Sequence, residues 1–180
     1  MSVYFFDTCA LLERYVEGPH ARTISRIVSA SENQCYVADW TVLEIASALS
    51  RQMRGRRDRA KAGGQKFNLK REYDTRDRRV ARDLADGKLL VRNTNSRDIL
   101  HARELIRYSG IVQGNKVDTG DAIVAACCLN LAHTLGAKVI FYTADNGLYR
   151  TLVRHDHFRS VMCLRFLGIP KDPSLPLRTC

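Results

Sequence analysis

Five short apolar runs punctuate this chain, and each is too brief to be a buried helix. They begin at Ser2 ("SVYFF"), at Gln34 ("QCYVAD"), at Lys88 ("KLLVR"), at Lys138 ("KVIFY") and at Val161 ("VMCLRF"). Stretches with helical spacing lie between them. Arg22 to Ser31 carries Ile24, Ile27 and Val28, and Thr41 to Arg54 carries Val42, Leu43, Ile45, Ala46 and Leu49. Strands buried on both faces read as continuous apolar runs, because helices cover each side of the sheet. The alternation predicts an α/β chain with a central parallel five-stranded sheet. Further helices are expected over Cys9–Val16, Arg97–Ser109, Asp118–Leu135 and Gly147–Arg154.

The 180 residues fit a single domain spanning 1–180 with one insertion. An apolar fraction of 45% with only 4 prolines belongs to a globular chain, not a disordered one. The net charge of +10 points to a polyanionic partner, nucleic acid first and an anionic membrane surface second. Between Arg51 and Arg79 twelve Lys or Arg stand against four Asp or Glu, an excess of eight out of the chain's ten. This segment reads as a basic helical insertion over about 51–86. The tail, about 167–180, holds three of the four prolines and is expected to be irregular. No basic region precedes a long apolar core at the N-terminus, and no run approaches the ~20 apolar residues of a membrane span, so no membrane partner is expected. Six cysteines form no C-x-x-C pair, which argues against zinc. Cys127 and Cys128 sit in an apolar helical pattern and read as buried free thiols, which suits a cytoplasmic chain.

Four acids stand at positions where such folds place chemistry. Asp7 ends the first strand run and Asp145 follows the fourth, and sites in open parallel sheets form at the strands' carboxyl ends. Glu44 lies in the first turn of the helix after the second strand, on the same edge. Asp121 opens the most apolar helix, in "GDAIVAACCLNLA"; that helix precedes its strand, so topology alone does not place it. Each acid also has an ordinary explanation. Asp7 and Asp145 suit N-caps, Thr41 and Glu44 match a T-x-x-E capping box, and Asp121 suits a helix dipole. Together they would repel one another in a partly buried pocket. A divalent cation is the natural neutraliser, and oxygen donors select Mg²⁺ or Mn²⁺ over zinc. Arg14 has the length to reach them from the first helix.

"YFFDTCALLERYVEGP", "WTVLEIASAL", "GDAIVAACCLNLA" and "VIFYTADNGL" resemble the PIN-domain ribonucleases, and more narrowly the VapC-type toxins of toxin–antitoxin pairs. The resemblance runs from Tyr4 to about Arg154. It implies a three-layer α/β/α sandwich and a metal-dependent endoribonuclease with Mg²⁺ or Mn²⁺ at an acidic site. By motif position the catalytic acids would be Asp7, Glu44, Asp121 and Asp145. Asp7, Asp121 and Asp145 would be metal ligands, and Glu44 a further ligand or the residue that orients the water. Thr8 and Thr143 match the hydroxyl positions that accompany these acids. Asp118, a natural N-cap, and Asn146, in a turn, are reserve candidates. The resemblance also implies a cognate antitoxin protein and a homodimer. Cys9 departs from the usual Ser or Ala, and the basic insertion departs from a minimal member in length.

The expected RNA contacts are Arg54, Arg56 and Arg57 in the insertion and Arg150 after Asp145, with Tyr149 and Arg154 as possible groove residues. The same charge run also reads as a solvated helix face. Trp40 reads as core, or as a base-stacking surface one turn before Glu44. His155 and His157 carry no catalytic expectation. Two alternatives stand beside the nuclease. One is a silent PIN-like module that binds RNA or protein without cutting. The other is a receiver-like phospho-acceptor, against which Glu44 and Asp121 lie inside helices.

Overall fold

The structure, a computed structural model, describes residues 1–111, 114, 116–167 and 178–179. Strand β1 (Ser2–Phe6) is central. β2 (Asn33–Ala38) and β3 (Leu90–Arg92) extend the sheet on one side, β4 (Val139–Thr143) and β5 (Met162–Phe166) on the other. All five run parallel, as the alternation of runs predicts. A two-residue strand, β6 (Arg178–Thr179), adds an antiparallel edge to β5. It lies in the tail expected to be irregular, most of which falls outside the described residues.

The two-residue period of a strand generates two cores from one sheet. Phe5 and Phe141 belong to one face, their ring centroids 6.3 Å apart. Tyr4, Phe6 and Tyr142 stack on the other. The first face is covered by α5 (Ser96–Ile111), α6 (Thr119–Leu135), α7 (Asn146–Arg154) and α8 (Asp156–Val161). The second is covered by α1 (Thr8–Val16), α2 (Ala21–Ser29), α3 (Asp39–Ala62) and α4 (Leu69–Ala85). The result is the expected α/β/α sandwich. Each fully buried phenylalanine contributes roughly 1.5–3 kcal/mol. Gly136, at φ 59°, ends α6 in a left-handed conformation that glycine adopts at least cost. Cys127 and Cys128 are free and fully buried in α6.

Some boundaries differ from expectation. α3 starts at Asp39 and runs to Ala62, well into the basic segment, where periodicity predicted an end at Arg54. α8 was not expected, because six residues are too few for a helical period to show. The insertion is a helical hairpin folded against α1. Ile45, Leu49 and Met53 bury one side of α3, and Val80 does so for α4. Arg14 does not reach the acids. It grips Asp83 of α4 in a two-pronged ion pair, Nε to Oδ2 at 2.8 Å and Nη2 to Oδ1 at 3.1 Å. The Tyr15 hydroxyl donates to the same carboxylate at 3.0 Å. Burial pushes Asp83 up, but the Arg14 hydrogen bond and charge and the Tyr15 hydrogen bond outweigh it and hold the carboxyl below its usual range. A carboxyl depressed in the folded state stabilises the fold above its ordinary pKa of about 4, and that stability is lost as pH falls. Asp83→Ala leaves a buried guanidinium without a counter-charge. It should cost about 3–5 kcal/mol in urea unfolding at pH 7, and the deficit should shrink below about pH 4.

Candidate active site

β1 and β4 are neighbours, and their register brings strand ends together. Phe6 pairs with Tyr142, so Asp7 stands beside Thr143. The Asp7 amide donates to the Tyr142 carbonyl at 2.9 Å. Asp7 fills the N-cap position of α1, yet its side chain does not cap the helix. Instead its Oδ2 accepts from Thr143 Oγ1 at 2.8 Å, and Thr143 Oγ1 accepts from the Asp145 amide at 2.9 Å. Asp7 is 0% exposed, and its Oδ1 has no hydrogen-bond partner among the described residues. Burial pushes this carboxyl up to about 7, against the pull of the Thr143 hydrogen bond, and Glu44 and Asp145 push it the same way.

The other acids arrive from helices. Asp145 caps α7, its Oδ1 accepting from the Leu148 amide at 2.6 Å. Glu44 of α3 accepts from Thr8 Oγ1 at 2.5 Å. The anticipated capping box is not formed, because α3 begins two residues before Thr41. Thr41 lies buried inside the helix, and its hydroxyl finds no partner among the described residues. Asp121, half-buried in the first turn of α6, is pushed up to about 8 by burial, then by Asp7, Asp145, Asp118 and Glu44. Asp121 therefore joins the other three, a placement that topology alone did not give. Cys9 sits among them. Its side chain is exposed, and partial desolvation, then Asp7, Asp121, Asp145 and Glu44, push its thiol above the usual range.

Gly120 of α6 leaves room for the ends of two α3 side chains. A Cβ there would lie 2.6 Å from Glu44 Oε1 and 2.5 Å from Trp40 Nε1. Trp40 is 40% exposed, which corrects the expectation that it packs in the core. Asp118 is exposed and takes the ordinary role, its Oδ1 accepting from the Gly120 amide at 2.8 Å. Asn146 opens α7, with its Oδ1 buried and unpartnered among the described residues. Tyr149 is core, stacked on Phe166 at 5.1 Å, so it does not line a groove. Arg150 is half-buried on α7. In the insertion Arg56 donates to the Val16 carbonyl, Arg57 pairs with Asp58 and Arg54 lies back on Ser50.

A cleft of about 350 Å³ opens beside the acids. Glu44 and Asp121, with Thr8 and Cys9, form one end; Ala48, Arg51, Gln52 and Gly55 of α3 continue it. Sequence reasoning did not single out Arg51 or Gln52. Their spacing from Glu44 on a helix was the available signal. The fit to a metal rests on charge and donor type. Two carboxyls pushed to about 7 and about 8, and one orphaned carboxylate oxygen, are what a divalent cation relieves. Oxygen donors suit Mg²⁺ or Mn²⁺. Among the described residues no three such side chains already stand as a ligand set, so no preformed cage accompanies this chemistry.

A parallel sheet clad on both faces, with acids gathered at its carboxyl edge, defines an α/β protein with an acidic site. The chain matches the PIN domain family over residues 4–152 and belongs to that family. Solved structures similar to it in fold include VapBC2 from Rickettsia felis bound to a DNA fragment from their promoter, at a TM-score of 0.52 and 10% identity, covering 83% of this chain and 92% of that one. VapBC-1 from nontypeable Haemophilus influenzae reaches 0.50 at 15% identity, covering 84% and 92%. FitAcB from Neisseria gonorrhoeae reaches 0.50 at 16%, covering 83% and 91%. No curated protein matches the chain in sequence.

Two outcomes check this geometry. The raised Asp7 and Asp121 carboxyls bind protons more tightly folded than unfolded. Without divalent ions, stability should therefore fall as pH rises from about 4 to about 8. Asp7→Asn should flatten that slope and raise the melting midpoint at pH 8 by about 3 °C or more. Gly120→Ala should turn the Glu44 carboxylate and the exposed Trp40 ring aside with little loss of stability, and shift the emission of Trp40, the chain's single tryptophan.

Proposed function

We propose that this chain is a metal-dependent endoribonuclease, the toxin of a toxin–antitoxin pair. One observation carries the reading: three further acids, Glu44, Asp121 and Asp145, stand near the Asp7 carboxylate, which is fully buried and half unsatisfied among the described residues. A fold gains no stability from such an arrangement, so its use is chemical. Membership of the PIN domain family and the fold likeness to VapBC and FitAcB chains support the same conclusion.

In this reading Asp7, Asp121 and Asp145 hold Mg²⁺ or Mn²⁺. The bound ion supplies positive charge at the scissile phosphate and makes water a stronger nucleophile. The chain's own residues do the rest. Thr143 fixes the Asp7 carboxylate while leaving Oδ1 free. The Thr8 hydroxyl aims Glu44 at the cleft, where it orients the attacking water. The basic hairpin attracts the phosphate backbone, a sequence-independent attraction that weakens with salt. An antitoxin protein would be the chain's partner, and a second copy of the chain its dimer mate. Exposed Trp40, Leu43 and Leu100 supply apolar surface for such contacts. Among the described residues no helix is long and apolar enough to cross a membrane.

Among the described residues no three acids already stand as a ligand set, which favours one competing reading, a PIN-like module that binds RNA without cutting it. The receiver-like reading loses its support to the family match. Purified protein should cut total cellular RNA into discrete fragments with Mg²⁺ or Mn²⁺. Cutting should stop in EDTA and fall at least about 100-fold in Asp7→Asn. Intact RNA throughout, from folded protein free of any partner, would give the function to the binding module.

A further inference from the structure

The helical layer over the Phe5 face gathers three histidines that the acid site does not use. His101 comes from α5, His133 from the last turn of α6 and His157 from α8. His157 is the common member. Its ring centroid lies 5.4 Å from that of His133 and 5.9 Å from that of His101. Among the described residues no hydrogen bond or ion pair engages any of the three rings. The Nδ1 of His101 is buried without a partner, while His133 and His157 are exposed.

Stacked imidazoles gain little from one another and repel once protonated. What the three share is a lone pair on each neutral ring, the donor that borderline transition metals prefer. Zn–N bonds of about 2.1 Å at tetrahedral angles set the centres of two ligand rings about 5 Å apart. The two separations here are wider by about an ångström or less. Turning two exposed side chains closes that difference. Among the described residues no three such side chains already stand as a ligand set, so the ion draws the rings in rather than meeting a finished cage.

We propose that His101, His133 and His157 form a second metal site, for Zn²⁺, with water in the fourth position. The proposal does not rest on the nuclease reading. Carboxylate oxygens suit Mg²⁺ or Mn²⁺, and imidazole nitrogens suit Zn²⁺. The two sites stand at opposite ends of α6. Asp121 is in its first turn and His133 in its last, about 18 Å apart along the helix. The ion acts as a staple. α8 has six residues and one buried side chain, Phe158, so its own packing area is small. Joining α8 to α5 and α6 fixes the segment that leads directly into β5. No cysteine takes part, so the lack of C-x-x-C pairs has no bearing on it.

The test is calorimetric titration of Zn²⁺ into the full chain at pH 7.5, with Mg²⁺ in large excess to occupy the acids. One equivalent should bind saturably. His101→Ala, His133→Ala and His157→Ala should each weaken it at least about tenfold. His20→Ala, at the start of α2 on the other face of the sheet, should change it less than about twofold, and so should Asp7→Asn. Zn²⁺ at about 100 times its Kd should raise the melting midpoint of the wild type by about 5 °C or more and leave that of His157→Ala unmoved. His133 and His157 are exposed, so their variants keep the fold, which melts without metal verify. Absence of saturable binding by folded wild type would overturn the proposal. Binding unchanged in His133→Ala and His157→Ala would overturn it too. So would loss of binding in Asp7→Asn with the histidine variants unaffected, which would give the ion to the acids.

Discussion

Burial of the Asp7 carboxylate at the end of the central strand is the constraint on which this structure turns. An ionised group without water or a full set of partners is costly, and here one oxygen has no partner among the described residues. The fold tolerates it because the strand that carries it is anchored on both faces. Phe5 and Phe6 point into opposite cores, and the β1–β4 register holds Asp7 against Thr143. Thr143 then serves two acids at once, donating to Asp7 and accepting from the Asp145 amide. Glu44 is fixed by a neighbour of Asp7, the Thr8 hydroxyl, and Asp121 is brought in by a helix whose first turn carries a glycine against the Glu44 and Trp40 side chains.

The charges of the basic hairpin are not equivalent in their contacts. The basic hairpin looks uniform in composition, yet its arginines have distinct duties. Arg56 satisfies a helix-end carbonyl, Arg76 is buried against Glu72, and Arg51 faces the cleft. The hairpin stays in place through Asp83, whose ion pair with Arg14 ties it to the helix that follows the Asp7 strand. The docking of the hairpin and the placement of the acids thus share one anchor, α1.

Much of this was legible in the sequence. Runs ending on Asp7 and Asp145 announced strand-end carboxylates, and alternation announced parallel strands between helical layers. Glu44 followed from the rule that a helix after a parallel strand starts on the same edge. Asp121 did not follow from topology, and only the resemblance to PIN domains placed it. The long-range pairs were invisible: Arg14 and Asp83 are 69 residues apart, and nothing local marks either as the other's partner. Trp40 read as core because apolar spacing cannot say which side of a helix a neighbouring element leaves open. The place of Arg51 and Gln52 beside the cleft needed its opposite wall, built by Thr8 and Cys9 of α1.

The central claim is that the acids form a site for a divalent cation. Calorimetric titration of Mn²⁺ into the metal-free chain at pH 7.5, beside Asp7→Asn and Asp121→Asn, tests it most directly. The account predicts saturable binding to the wild type and at least about tenfold weaker binding to each variant. Absence of binding to folded wild type, or equal binding to all three proteins, would contradict it.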